Sequence, residues 1–259
     1  MMTDEDIKEY HQMIANLERK NKMQHKNNYI YPKTVREAIE GKRHYVIKTE
    51  KLPSVTTILS ATESPEKTEA LARWRESKGE AEATRIVDTA AARGTAMHKI
   101  LEKYILEQGY VDLTTVGQQA HNMAIRVIEQ GLCNVPEYYG TECTLYYPGL
   151  YAGQTDLVGV HKGEDAIIDF KQTNKPKKRE WIEDYFMQLS AYGMAHDYVY
   201  KTTISKAVIM MCSKDNYYQE FIIQGPEFRE AKHNFLKKVT EYYEMQKEPK
   251  VNIKEEDFK

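Results

Sequence analysis

Several things this sequence of 259 residues is short of narrow its role before any motif is considered. It has three cysteines, Cys133, Cys143 and Cys212, far apart and without paired spacing. That pattern suits free thiols in a reducing compartment. It also falls short of the four thiolates that hold an iron–sulfur cluster, so no such cluster is expected. Charge of one sign is not in excess: 37 Lys and Arg stand against 39 Asp and Glu. A chain so close to neutral has no global basic footprint, and any attraction for nucleic acid must come from a local patch. No apolar run approaches the roughly 20 residues of a membrane span. The opening Met-Met-Thr-Asp-Glu-Asp is acidic and lacks the apolar centre of a signal peptide, so a soluble, cytoplasmic protein is expected. There is no internal repeat, no low-complexity tract, and no nucleophilic serine or cysteine motif.

What is present concentrates between Tyr151 and Tyr192. Asp156 lies within an apolar run that continues Leu157-Val158-Gly159-Val160, and Ala166-Ile167-Ile168 leads into Asp169-Phe170-Lys171. Side chains alternate along a strand, so Asp169 and Lys171 share a face while Phe170 turns to the other. An apolar run of this kind reads as a strand covered on both sides. Charges at its end are costly unless they meet a metal, a phosphate or each other. Two carboxylates converging beside a cation suit a hard metal bound to a phosphodiester. The tamer readings are a turn aspartate at Asp156 and a simple ion pair between Asp169 and Lys171.

Pattern along the chain predicts an amphipathic helix over 3–25 and a short strand at Tyr45-Val46-Ile47. The domain proper begins at Pro53 with Ser54 as a helix cap. A long helix over about 80–108 has Ile86, Ala90, Gly94, Met97, His98, Leu101 and Ile105 on its inner face. A second helix follows at about 115–130. Strands are expected at 142–147, 151–160, 165–171, 204–212 and 217–223, with turns at Pro148-Gly149 and Lys162-Gly163. Helices over about 179–198 and 226–246 complete an α/β architecture, a central mixed β-sheet flanked by helices. The division is an N-terminal helical or irregular extension, 1–52, and a main domain, 53–259.

Four segments occur in an order that resembles the PD-(D/E)xK nuclease superfamily, and within it the RecB-like group. They are Arg93-Gly94-Thr95-Ala96-Met97-His98, Gly153-Gln154-Thr155-Asp156, Asp169-Phe170-Lys171 and Gln188-Leu189-Ser190-Ala191-Tyr192. Asp-x-Lys alone carries almost no information; the ordered set, over roughly residues 53–245, does. The resemblance implies a restriction-endonuclease-like core and metal-dependent hydrolysis of DNA, with Mg2+ or Mn2+ as cofactor. Asp156, Asp169, His98 and the backbone carbonyl of Phe170 would be the metal ligands. Lys171 would act on the attacking water and the developing charge, and Gln188 would orient water or the strand being cut.

Several residues keep two readings. His98 sits on an apolar face, where histidine is commonly a core residue. Glu142 matches an acidic family position, either holding Lys171 or lying exposed at a strand end. Tyr192 is a core residue or a DNA contact, while Trp181 and Tyr185 continue its stripe as a packed aromatic face. Arg93 and the run Lys175-Pro176-Lys177-Lys178-Arg179 are assigned to DNA phosphates, although a charge run is commonly a solvated face. The implied substrate is DNA, single-stranded or with a free end, and the implied setting is bacterial or bacteriophage recombination and repair. A structure-selective endonuclease of the same fold and a catalytically silent DNA-binding module remain as alternatives.

Overall fold

The computed structural model describes residues 22–247, together with the isolated positions 8 and 12. The helix expected over 3–25 therefore lies largely outside the described residues, and its last two positions form a strand. In chain order the elements are β1 (Gln24–His25), β2 (Val35–Ile39), β3 (Lys42–Ile47), β4 (Glu50–Pro53), α1 (Val55–Ala61), α2 (Pro65–Lys78), α3 (Glu80–Ile105) and α4 (Thr115–Gln130). There follow β5 (Glu137–Tyr147), β6 (Tyr151–His161), β7 (Glu164–Thr173), α5 (Glu183–Tyr200), β8 (Lys206–Ser213), β9 (Tyr218–Gln224) and α6 (Pro226–Lys247).

The main sheet runs β1-β5-β6-β7-β8-β9. Strands β5 to β7 form an antiparallel meander, β7 and β8 pair in parallel across α5, and β9 returns antiparallel. A parallel pair needs a crossover, and α5 supplies it. This is the mixed sheet flanked by helices that the sequence predicts. One face packs against α5 and α6 through Val158, Ile167, Leu189, Ile209 and Phe235. The other packs against α3 and α4 through Met97, Leu101, Met123, Leu157, Ile168 and Phe170. Alternation along β7 is thus as the sequence implies, with Phe170 turned away from the face of Asp169 and Lys171.

A second, three-stranded sheet, β2-β3-β4, lies beside the first. Tyr45, Ile47 and Leu52 pack on Ala152 of β6, and Ser54 bridges to Ala152. Strand β4 runs through the 52/53 position. Ser54 caps α1 by accepting from the Thr57 amide at 2.9 Å, as its sequence position suggests.

Helix α2, begun by Ser64 and Pro65, buries none of its residues. The Lys67 ammonium ties its first turn to Asp184 of α5. In α3 the buried positions include Met97, Ile100, Leu101, Tyr104 and Ile105, whereas Ile86 and Ala90 of the expected inner face are half-buried.

Candidate functional site

The chemistry-bearing side chains meet where the central ladder comes apart. Pairing between β6 and β7 stops at Leu157 and Ile168, and Asp156 and Asp169 are the next residues on each strand. On the other side, the pairs Thr141–Leu157 and Cys143–Thr155 form, but the intervening Glu142–Asp156 pair does not. Glu142 has φ +51, a left-handed conformation that costs a non-glycine residue energy. Side chains satisfy the carbonyls this break frees. The Thr141 hydroxyl donates to the Asp156 carbonyl at 2.9 Å, and the Gln154 amide donates to the Glu142 carbonyl at 2.8 Å. The Phe170 amide donates to Asp156 Oδ2 at 2.6 Å. Asp156 is therefore aimed by the backbone of the neighbouring strand.

Around it, His98 Nδ1 lies 3.2 Å from Asp156 Oδ1. One ligand atom each from His98, Glu142 and Asp156 falls within 4.8 Å of the others. Asp169 stands beside this trio, ion-paired with the Lys171 ammonium. That ammonium also lies 4.9 Å from the centre of the Tyr185 ring. Gln188 and Tyr192, both buried on α5, are joined by a 3.0 Å hydrogen bond from the amide to the phenol. All these residues except Tyr185 line one cleft of about 850 Å3.

Its electrostatics are those of negative charge held out of water. Burial and the neighbouring Asp156 push the Glu142 carboxyl up to about 7. Burial and the charge of Asp156 likewise push Asp169 up, to about 6, against the pull of Lys171. Burial opposes ionisation of Asp156, but His98, Lys171 and the Phe170 amide outweigh it and lower its pKa. Burial disfavours the His98 imidazolium, yet the charge and hydrogen bond of Asp156 raise its pKa to about 9. Lys171 is also raised, because Asp169 and Asp156 overcome its desolvation.

The other sequence-predicted residues fall elsewhere. Phe170 puts its ring in the core, edge-on to His98 with ring centres 6.3 Å apart. Arg93 is 3% exposed, with Nε donating to Gln172 Oε1 at 3.0 Å and a terminal nitrogen donating to Asn174. It fastens the end of β7 and does not line the cleft. The basic run is not on the cleft wall either. Lys177 exchanges backbone hydrogen bonds with the Gln219 side chain, and Arg179 pairs with Glu227 while donating to the Ile222 carbonyl.

Trp181 sits in a 3-10 turn ahead of α5 and is 59% exposed, not packed on an aromatic stripe. Tyr185, assigned to the same stripe, does pack against the core, and its ring also meets the Lys171 ammonium. Sequence reasoning also missed Arg36, Arg43 and Tyr45, which line the cleft from the three-stranded sheet.

Fold and site together define a mixed-sheet α/β domain whose cleft gathers carboxylates, a histidine and a lysine. No family model matches the chain. It is similar to mitochondrial genome maintenance exonuclease 1 of Mus musculus, 28% identical over 172 residues, covering 63% of this chain and 50% of that protein. The protein of the same name from Homo sapiens is 24% identical over 222 residues, covering 74% and 62%. The chain thus spans between half and two thirds of the length of these relatives. A solved structure from Eubacterium rectale, 11% identical, covers 61% of this chain and 68% of that one with a TM-score of 0.43.

Proposed function

We propose that the chain is a metal-dependent deoxyribonuclease of the PD-(D/E)xK, RecB-like kind, acting as an exonuclease on DNA ends. The observation that carries this reading is the convergence of His98, Glu142 and Asp156 ligand atoms within 4.8 Å, next to the Asp169–Lys171 pair. Similarity to proteins named as exonucleases supports it.

The donor set fits a divalent cation. It offers one ring nitrogen and carboxylate oxygens, and the raised Glu142 pKa marks negative charge that His98 and Arg36 do not fully offset. His98, Asp156 and Glu142 would hold the ion, with Asp169 and the Phe170 carbonyl as the further ligands that the motif resemblance implies. A nitrogen ligand favours Mn2+ relative to an all-oxygen site. Such an ion supplies Lewis acidity toward a phosphate oxygen and toward water.

The protein's own groups do the rest. Lys171 stays protonated, held between Asp169 and the Tyr185 ring, and its ammonium offsets charge developing on the phosphate. Asp156 is kept in orientation by the Phe170 amide, so the trio is preorganised. Gln188, fixed by Tyr192, presents an amide that orients the water or the strand. No covalent intermediate is required.

The test uses end-labelled linear and covalently closed circular single-stranded DNA with Mg2+, Mn2+ or EDTA. Linear DNA should be degraded with either metal, the circle should persist, and EDTA should abolish cleavage. Asp156→Asn, which keeps shape and loses charge, should remove both cleavage and calorimetric Mn2+ binding. Cutting of the circle would make the protein an endonuclease. DNA binding without cleavage in any metal would make it a silent module.

A further inference from the structure

The three-stranded sheet places two arginines where the catalytic motifs supply none. Its register sets Arg36 opposite Tyr45 and Ala38 opposite Arg43. Alternation along each strand puts all four on one face. That face carries Tyr45 and Ile47 into contact with Ala152 of β6, and it is turned toward the cleft. Arg36 and Arg43 therefore occupy diagonal positions on that face, with the small Ala38 opposite Arg43. The Arg36 guanidinium lies 5.7 Å from the centre of the Tyr45 ring. Arg43 is fixed by its backbone, because its carbonyl accepts from the Ser54 amide at 3.0 Å and the Thr57 hydroxyl at 2.9 Å.

Charge pairing differs between the two faces of this sheet. On the far face Lys51 meets Glu37 at 2.8 Å and the charges cancel. Within the cleft, Lys99 is paired with Glu102 and Lys171 with Asp169. Neither Arg36 nor Arg43 forms an ion pair with any carboxylate among the described residues. The charge of Arg36 reaches the Glu142 carboxylate across the cleft, but neither guanidinium is engaged by a carboxylate at ion-pair distance, so both can take an anion. Guanidinium is the cation best shaped for phosphate oxygens, which it can grip through two parallel hydrogen bonds.

We propose that this sheet is a second binding element for the substrate backbone, with Arg36 and Arg43 holding phosphates that flank the one at the His98, Glu142 and Asp156 trio. The proposal rests on the nuclease reading for the identity of its ligand, a nucleic-acid strand. Arg36 and Arg43 are positioning residues: they contact the strand away from the scissile bond and carry no base information. They also place the cleft's local basic patch outside the Lys175–Arg179 run.

The test compares the full-length wild type with Arg36→Ala, Arg43→Ala, the double alanine variant and the double lysine variant. Binding of a fluorescein-labelled single-stranded oligonucleotide is measured in EDTA across a salt series. Cleavage of the same oligonucleotide is measured separately with Mg2+ and Mn2+. The double alanine variant should bind roughly tenfold more weakly at 0.1 M salt and lose about 1.4 units of salt slope, about 0.7 for each phosphate contact. In cleavage, kcat/KM should fall much more than kcat. The double lysine variant should keep most of the slope, because it keeps the charge; a purely structural role would not produce that rescue. Lys51→Ala, on the far face, serves as the control and should match wild type.

Wild-type affinity and slope in the double alanine variant would overturn the proposal, and would leave the nuclease reading standing if wild type cleaves. Arginine-dependent binding in a wild type that cleaves with neither metal would sustain the sheet's role and sink the nuclease reading. Absence of binding by wild type would overturn the proposal, and absence of cleavage as well would remove the nuclease reading.

Discussion

At the scale of single residues, Glu142 concentrates the cost of building this cleft. Its backbone is left-handed and its carboxyl is pushed up to about 7 by burial and by Asp156. Its folded-state pKa is above the unfolded value, so ionising it opposes folding. That penalty is absent well below the unfolded pKa and grows as pH rises toward about 7. Glu142→Gln should therefore stabilise the metal-free protein at pH 8, on the order of 1 kcal/mol after solvent screening, and change little at pH 4. Urea midpoints at the two pH values read this directly. A loss of stability at pH 8 would mean that the carboxylate is already compensated within the protein. Mn2+ should reverse the ranking, because a bound ion rewards the charge that the amide lacks.

At the scale of elements, the cleft depends on β6 parting from β5 at Glu142 and from β7 beyond Leu157, with α5 closing over the gap. Gly153 controls that closure. A Cβ at this position would collide with the Tyr192 ring, lying 2.9 Å from its hydroxyl oxygen and overlapping its edge. Gly153→Ala should displace Tyr192, and with it the Gln188 amide it holds. The expected cost is about 1–3 kcal/mol of stability, with a fall in single-turnover cleavage larger than any loss of DNA affinity. Equal losses in affinity and turnover would instead place Tyr192 on the strand-binding wall.

The elements that were legible in the sequence have strong periodicity and covered faces. Strands β6 and β7, the parallel β8, and helices α3, α4 and α6 fall within a few residues of expectation, while β5 begins at Glu137, well ahead of the expected 142. The start of α5 was not legible. Trp181 and Tyr185 share helical spacing, but Ile182 at φ −125 breaks the run, so one ring points to solvent and the other meets Lys171. Strands β2 and β4 escaped, and β3 was expected only over Tyr45-Val46-Ile47, because these strands are short and rich in charge and their apolar positions are satisfied by a small patch on Ala152.

Across the whole molecule, the order of motifs foretold that His98, Asp156, Asp169, Lys171 and Gln188 would share a cleft, and they do. Charge along the chain was a poorer guide. None of the densest basic run lines the cleft, and its Arg179 is tied to β9 and α6, while two scattered arginines from the segment before Pro53 reach the cleft. The distinction is three-dimensional: it depends on which cations the fold brings to the cleft, and linear charge density carries no record of that.

One further consequence follows from α2, a helix of 14 residues with no buried side chain. Little packing depends on its being continuous, so this is where the polypeptide can be divided. Trypsin in limiting amount should nick the native protein at Arg73, Arg75 or Lys78 before it reaches either sheet. The two pieces should then travel together on a sizing column and separate on a denaturing gel, since β1 pairs with β5 and the three-stranded sheet packs on β6. Pieces that drift apart would show that α2 is a tether. Pieces that stay together would make this protein one that can be assembled from halves, with Arg36 and Arg43 on one polypeptide and the His98, Glu142 and Asp156 trio on the other.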